Sequence, residues 1–578
     1  MPIIHLNGYK IANPTFLGRM SDDELELMFT GMGYEVLFVN GNEMDYMHQR
    51  MAEVLDYAVL KIKYRKTFSQ NNQVIKLPLI IVRSPKGWTG PKTFDGKQIE
   101  DSFRAHQVPI LVDKEHPNAI KELETWLKSY RPEELFENGK LKEKYKLFVP
   151  PFELRMGTSK YANGGLLKKD LITPNVLNYG VKIKNHGQND SMDMKELGNY
   201  LRDLVIEKKK TFRIFGPDES LSNRLHYVFE VTNRQWNGKT LLKDEYLNNN
   251  GRIIDSFLSE NVCEGLLEGY LLTGRHGLFH TYEACSRVID SMVSQHLKWV
   301  RASLDIPWRK PIASLNIILS SHIWQQDHNG YTHQEPGFLN HLATKKKDMI
   351  GIYLPADANT LICTMDKCLK TENKVNAIVA SKHKRPQWLS IEDAVKHVNN
   401  GVSIWSWASD QEPDIVLACA GETPTLEVLA AKTILKQYIP KLKVRVVNIV
   451  DLMKLDKEYP EALTDEEYDY LFTKDKPILF IFHGYPNLIH SLTLNRNNKN
   501  LTVKGYEEEG AITTPFDMRV KNEIDRFNIC LDAANLVSDD FDKFNLTSYC
   551  VKELIKHREF IREYGRDLDE VENWKWSN

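Results

Sequence analysis

Ile415-Val-Leu-Ala-Cys419, the stretch Thr423 to Tyr438 and the run Val444 to Val450 together decide the fold. The two outer runs are continuously apolar, as a strand buried on both faces must be. Between them, apolar residues at 426, 429, 430 and 434 recur at the spacing of one helix face. A strand, a helix and a second strand in this order make a parallel pair joined by a right-handed crossover. The chain is therefore expected to be an α/β protein. Lys476-Pro-Ile-Leu-Phe-Ile-Phe supplies a further buried strand.

Working upstream, the same alternation recurs. Phe212-Arg-Ile-Phe, Ile253-Ile254 and Ile312 to Ser320 have strand character, with helices opening near Glu260 and carrying Val288, Ile289, Met292 and Val293. Nearer the start, Ser21-Asp-Asp-Glu24 is a capping box ahead of Leu25, and Leu77 to Val82 is an apolar run suited to a buried parallel strand. A Pro/Gly-rich loop, Ser84 to Lys92, follows it. Tyr145 to Pro174 contains Pro150-Pro151 and Asn163-Gly164-Gly165 with weak periodicity, the composition of a linker. The expected organisation is an α/β domain at 1–150, a linker at 151–175, and two more α/β domains at 176–388 and 389–578.

A length of 578 residues exceeds what one core organises and suggests about three or four domains. The apolar fraction of 42% and charged fraction of 27% are those of a soluble globular chain. A formal net charge of -2 provides no field for nucleic acid or anionic lipid. The short basic runs at Lys208 to Lys210 and Lys345 to Lys347 read as solvated faces. The 7 cysteines are odd in number and match neither a zinc spacing nor a redox pair, so a reducing, cytoplasmic setting is expected. No membrane-spanning run and no leader pattern is visible.

Four clusters place polar residues where apolar or glycine-rich sequence surrounds them. Asn7-Gly-Tyr-Lys-Ile-Ala-Asn follows a strand, and an Asn oxygen there suits a hard cation, with a simple turn as the alternative. Glu260, in Ser-Glu-Asn-Val-Cys-Glu264-Gly, falls where a loop becomes a helix, so it is either a functional acid or a partner of the helix dipole. Phe215-Gly-Pro-Asp-Glu-Ser-Leu-Ser222-Asn-Arg224 combines hydroxyls with an arginine, which suits phosphate, while N-capping by serine is the plainer alternative. Ser320 to Gly337 holds three histidines, amides and acids directly after a strand, which favours function over packing.

These segments resemble the xylulose-5-phosphate/fructose-6-phosphate phosphoketolases, a thiamine diphosphate-dependent family. The strings that carry the resemblance are His5 to Thr15, Arg104-Ala-His-Gln-Val-Pro, Phe212 to Glu219, Tyr270-Leu-Leu-Thr-Gly-Arg-His-Gly, Gln326-Asp-His-Asn-Gly and Thr514-Pro-Phe-Asp-Met, spread from the first residues to near the last. The resemblance implies three α/β domains of transketolase-like type. It implies Mg²⁺ ligation by Asn7 and the Tyr9 carbonyl, and active-site roles for Lys86, His106 and His333. Glu260 would hydrogen-bond the aminopyrimidine of the cofactor, with Tyr282 beside that ring. Ser222, Arg224, His328, Asn329 and Lys382 would hold substrate phosphate. Only Glu260, at the loop-to-helix junction, is placed for its role; Glu264 lies one turn on, beside Leu267.

The activity implied is phosphorolytic cleavage of xylulose 5-phosphate or fructose 6-phosphate to acetyl phosphate and an aldose phosphate. The implied partners are sugar phosphate, inorganic phosphate and a second copy of the chain, whose active site would lie between the two. The family's diphosphate signature begins with Gly-Asp-Gly, which occurs nowhere here, so the first domain is expected to be cut short. The alternatives are a truncated remnant that folds and dimerises without turnover, and a transketolase-type transfer to an aldose acceptor.

Overall fold

The computed structural model describes residues 1–68, 76–106, 108–158, 164–208, 210–325, 329–508, 511–538 and 540–577. They divide into two units, Met1–Phe152 and Glu153–Asn578. In the first, strands Ile3–Leu6, Leu77–Arg83 and Tyr34–Asn40 form a parallel sheet in that spatial order. Asp22–Gly31 is a helix whose Ser21–Glu24 capping box is present in full, satisfying two end donors reciprocally. Two small cores lie on the faces of this sheet, one around Leu6, Leu25, Phe29 and Ile81, the other around Val39, Met47, Val54 and Ile80.

The second unit contains an eight-stranded sheet and a five-stranded sheet. All pairs in the larger sheet are parallel, and its centre is made by Phe212–Phe215, His276–Tyr282, Leu315–Ser320 and Val375–Val379. The smaller sheet is built on the strand–helix–strand unit expected from sequence: Ile415–Ala420, the helix Glu422–Tyr438 and Val444–Ile449. Ile478–Phe482 lies on the other side of Ile415–Ala420, again parallel, and Val402–Ile404 closes one edge antiparallel. The central strands are buried on both faces, which explains why they lack apolar–polar alternation.

One hydrophobic cluster joins the two sheets. It runs from Phe215, Phe279, Leu315 and Ile317 through Ile350 and Ile352 to Val447, Ile478 and Phe480. The helix expected to carry Val288, Ile289, Met292 and Val293 is split: Glu283–Ile289 is a 3-10 turn, and the α-helix is Asp290–Leu304. Among the described residues no helix is long and apolar enough to cross a membrane.

Candidate functional site

The site in the second unit begins at the carboxyl ends of two parallel strands. Phe212–Phe215 ends in Gly216-Pro-Asp-Glu219, a turn that needs the glycine, since a Cβ on Gly216 would lie 2.2 Å from the His280 ring. That ring is fully buried and meets Ser220 Oγ at 3.0 Å and Asn223 Nδ2 at 3.1 Å. Burial pushes the His280 imidazole down to about 3, so it works as a neutral hydrogen-bonding strut for the loop.

Glu219, on this loop, is 7% exposed, and its Oε2 accepts the Tyr282 N–H at 3.1 Å. Tyr282 ends the neighbouring strand, His276–Tyr282. Its hydroxyl donates to Ser222 Oγ at 2.8 Å, and the Ser222 hydroxyl donates to the Glu219 carbonyl at 3.1 Å. Ser222, expected to meet phosphate, thus has both of these bonds within the protein and holds Tyr282 in place. Lys382 lies with its ammonium 4.5 Å from the centre of the Tyr282 ring. Burial, and the charge of nearby Arg224, pull that ammonium below its ordinary value. Arg224 is exposed and holds a left-handed backbone at φ 64°. Glu219 opposes the Lys382 shift as a counter-charge, and a phosphate dianion would add counter-charge for both cations.

Glu260 is the first residue of the helix Glu260–Leu272, which is N-capped by Ser259. A ligand atom of Glu260 lies within 4.8 Å of those of Glu219 and Cys285. Burial, followed by the Glu260 charge, pushes the Glu219 carboxyl up to about 8. Burial and the same two acids push the Cys285 thiol up to about 12, which leaves it a poor nucleophile. Glu264, one turn further, is fully buried on the core side of the helix with Leu267. Burial and neighbouring Glu268 push its carboxyl up to about 9. The His333 ring centroid stands 6.2 Å from that of Tyr282, and Asn329 caps the same short turn, Gly330–His333. His328 lies outside the described residues.

In the first unit the structure brings Lys86, His106 and Tyr9 together. Lys86 is 7% exposed, and its ammonium donates to the Tyr9 carbonyl at 3.3 Å and to the Lys10 carbonyl, and meets His106 Nδ1 at 3.1 Å. Asn7 Oδ1 accepts the Tyr9 N–H at 3.1 Å. Both oxygens expected to bind Mg²⁺ are therefore engaged by protein donors. Among the described residues no set of three His, Cys, Asp or Glu ligands gathers around them. Two neutral oxygens without a carboxylate do not suit Mg²⁺, so the arrangement does not fit that ion.

Three residues that sequence reasoning passed over complete the second cluster. Glu219 stands inside a quoted string, but nothing in its spacing marked it. Glu283 follows Tyr282 directly; it is fully buried, and its carboxylate accepts the Ile323 N–H at 3.0 Å and meets His483 Nε2 at 2.7 Å. His483 directly follows the strand Ile478–Phe482 of the smaller sheet, and its carbonyl accepts the Trp324 indole N–H at 3.0 Å. Ile323 is thus tied to Glu283 and Trp324 directly to His483, so that two successive residues are anchored, one to each partner of the Glu283–His483 pair. A signal was present in part, since a buried acid next to a site aromatic needs a partner.

Comparison with known proteins identifies the family. The model for D-xylulose 5-phosphate/D-fructose 6-phosphate phosphoketolase matches residues 195–371, that for the family's C-terminal domain 382–576, and that for its N-terminal domain 1–167. The expectation of a first domain cut short gains no support from that last match. A probable phosphoketolase of Clostridium acetobutylicum is 53% identical across 100% of this chain and 74% of its own length. One from Nitrosomonas europaea is 49% identical across 100% of this chain and 75% of its own length. Among solved structures, transketolase from Campylobacter jejuni has a TM-score of 0.56 at 14% identity, covering 92% of this chain and 72% of that one. Transketolase from Pichia stipitis in complex with sedoheptulose 7-phosphate has a TM-score of 0.59 at 15% identity, covering 93% and 71%. The fold is the transketolase-like, thiamine diphosphate-binding α/β fold. The chain belongs to the D-xylulose 5-phosphate/D-fructose 6-phosphate phosphoketolase family, a family of carbon–carbon lyases.

Proposed function

We propose that the protein cleaves xylulose 5-phosphate, fructose 6-phosphate or both by phosphorolysis, giving acetyl phosphate and an aldose phosphate. The proposal extends to thiamine diphosphate as cofactor, a homodimer as the working form and the cytoplasm as its place. The single observation that carries it is the convergence of Glu260, Tyr282, Ser222, Arg224 and Lys382 at the carboxyl ends of parallel strands, with Glu219 linking them.

The aminopyrimidine end of the cofactor is matched by a half-buried acid, Glu260, near an aromatic strand end. Bound there, thiamine diphosphate would supply the nucleophilic carbon and electron sink that cleavage beside a ketone requires. Glu260 is the residue that would hydrogen-bond the pyrimidine nitrogen. Tyr282, fixed by Ser222 and by Glu219, would lie beside the ring. Arg224 and Lys382 bind and orient the substrate phosphate, Arg224 through its planar fork. His333 moves a proton at the substrate hydroxyls. The diphosphate end lacks such a match, because Asn7 and Tyr9 do not fit Mg²⁺ as arranged, and no step is assigned to that ion.

The test is acetyl phosphate formation by the purified protein with thiamine diphosphate, Mg²⁺, inorganic phosphate and each ketose phosphate in turn. Product that depends on both phosphate and ketose supports the assignment. Cleavage that requires an aldose acceptor in place of phosphate would move the activity to a transketolase type.

A further inference from the structure

The family reading uses one acid at the head of the helix Glu260–Leu272, but the structure has two. Glu219 reaches the same space from the Gly216–Arg224 loop, on a different element. The oxygens of Glu219 and Glu260 and the Cys285 sulfur all lie within 4.8 Å of one another. Glu219 is held there on purpose-built geometry: its Oε2 takes the Tyr282 N–H at 3.1 Å, and the loop behind it is braced by buried His280. The other ionisable groups facing it are the Cys263 and Cys285 thiols, the Tyr282 phenol and the Lys382 ammonium.

Two ionised carboxylates whose oxygens lie within 4.8 Å, one of them buried, repel each other, and the usual resolution is that one keeps its proton. Lys382 offsets that repulsion only in part, since its ammonium is desolvated and lies near Arg224. We propose that Glu219 is a positioning residue for Glu260, keeping its own proton so that the pair carries a single carboxylate charge. The inference rests on the phosphoketolase reading of Glu260 and deepens it. Burial and the Glu260 charge raise the Glu219 carboxyl to about 8, in the direction the geometry requires. A phosphate bound by Arg224 and Lys382 would neutralise the nearest cations and hold that proton more firmly.

Two readouts need no cofactor. In infrared titration, the protonated-carboxyl band of the wild type should lose one group near pH about 8. That step should be missing in Glu219→Gln and should move upward when inorganic phosphate is added. Cys285 is the one cysteine of the seven that is not buried, so its alkylation reports the local charge. At alkaline pH its alkylation should be several-fold faster in Glu219→Gln than in wild type, because the second carboxylate is gone. In the loaded enzyme, Glu219→Ala should lower turnover by roughly tenfold with little change in KM, and Glu219→Gln should recover most of that while erasing the alkaline limb.

A wild-type titration without the Glu219 step, or equal Cys285 alkylation in both proteins, overturns the pair whatever the activity. A wild type that has the step and the alkylation difference but makes no acetyl phosphate keeps the pair and removes the phosphoketolase reading beneath it. Glu219→Asp, which retains a carboxyl, should restore the titration step if Glu219→Gln has lost it through misfolding.

Discussion

In the unit Met1–Phe152 the candidate lysine is held by main-chain oxygens, whereas in Glu153–Asn578 candidate acids and cations hold one another. Lys86 donates to the carbonyls of Tyr9 and Lys10, on a loop whose neighbour His106 is exposed. Glu219, Tyr282, Ser222 and Lys382 instead sit at strand ends backed by fully buried residues such as Phe279, Leu319 and His280. The first arrangement needs only a loop to stay folded. The second sets proton affinities, because low-dielectric surroundings make each charge felt by the next. Chemistry that depends on where a proton sits is therefore expected in the second cluster.

The sharpest way to break that contrast is Glu260→Gln, which should cut turnover by roughly 100-fold or more, the order for a positioned proton-transfer group. Glu264→Gln is the control; if it has the large effect and Glu260→Gln does not, the two acids exchange roles. Next in size, Arg224→Lys should raise KM for the ketose phosphate by about tenfold, since the bidentate fork is lost while the charge stays. Steady-state kinetics unchanged from wild type would remove Arg224 from the phosphate site. Lys86→Met should have a smaller effect, about fivefold on turnover, the order of one typical net hydrogen bond. An effect as large as that of Glu260→Gln would show that the first cluster is catalytic too.

The smallest effect concerns stability. The Glu264 carboxyl is pushed up to about 9 in the fold, against an ordinary 4.5. A raised acid stabilises the fold fully below its unfolded value, and this contribution is lost as pH rises toward the folded one. Wild-type Tm should therefore decline from about pH 4.5 towards pH 9 more steeply than that of Glu264→Gln. At the alkaline end the variant should melt higher by about 2 °C. Parallel Tm curves would mean that Glu264 does not carry its proton into the fold.

Much of this was legible in the chain because burial writes itself into sequence. Ile415 to Cys419 and Ile478 to Phe482 lack any polar residue, and both are central strands. Ser21 and Glu24 cap a helix by local geometry alone. Long-range pairs leave no such trace. Glu283 and His483 are 200 positions apart, and nothing near either one announces the other. Glu219 escaped for the same reason, since its partners Glu260 and Cys285 come from later elements. The Tyr9 carbonyl was expected to face a metal ion, and only the fold could show Lys86 donating to it.

The cluster that runs without a break from Phe279 and Ile317 to Val447 and Phe480 bears on how such a chain could be cut and recombined. Separating it near residue 388 would leave two fragments, each ending on an open apolar face where the other's sheet should lie. Neither would hold such a face in water without clumping. Fragments made together could still find each other while folding, with the Glu283–His483 contact as a latch between them. Chimeras that exchange residues 389–578 between relatives should thus work only when the residues meeting across this seam travel with them.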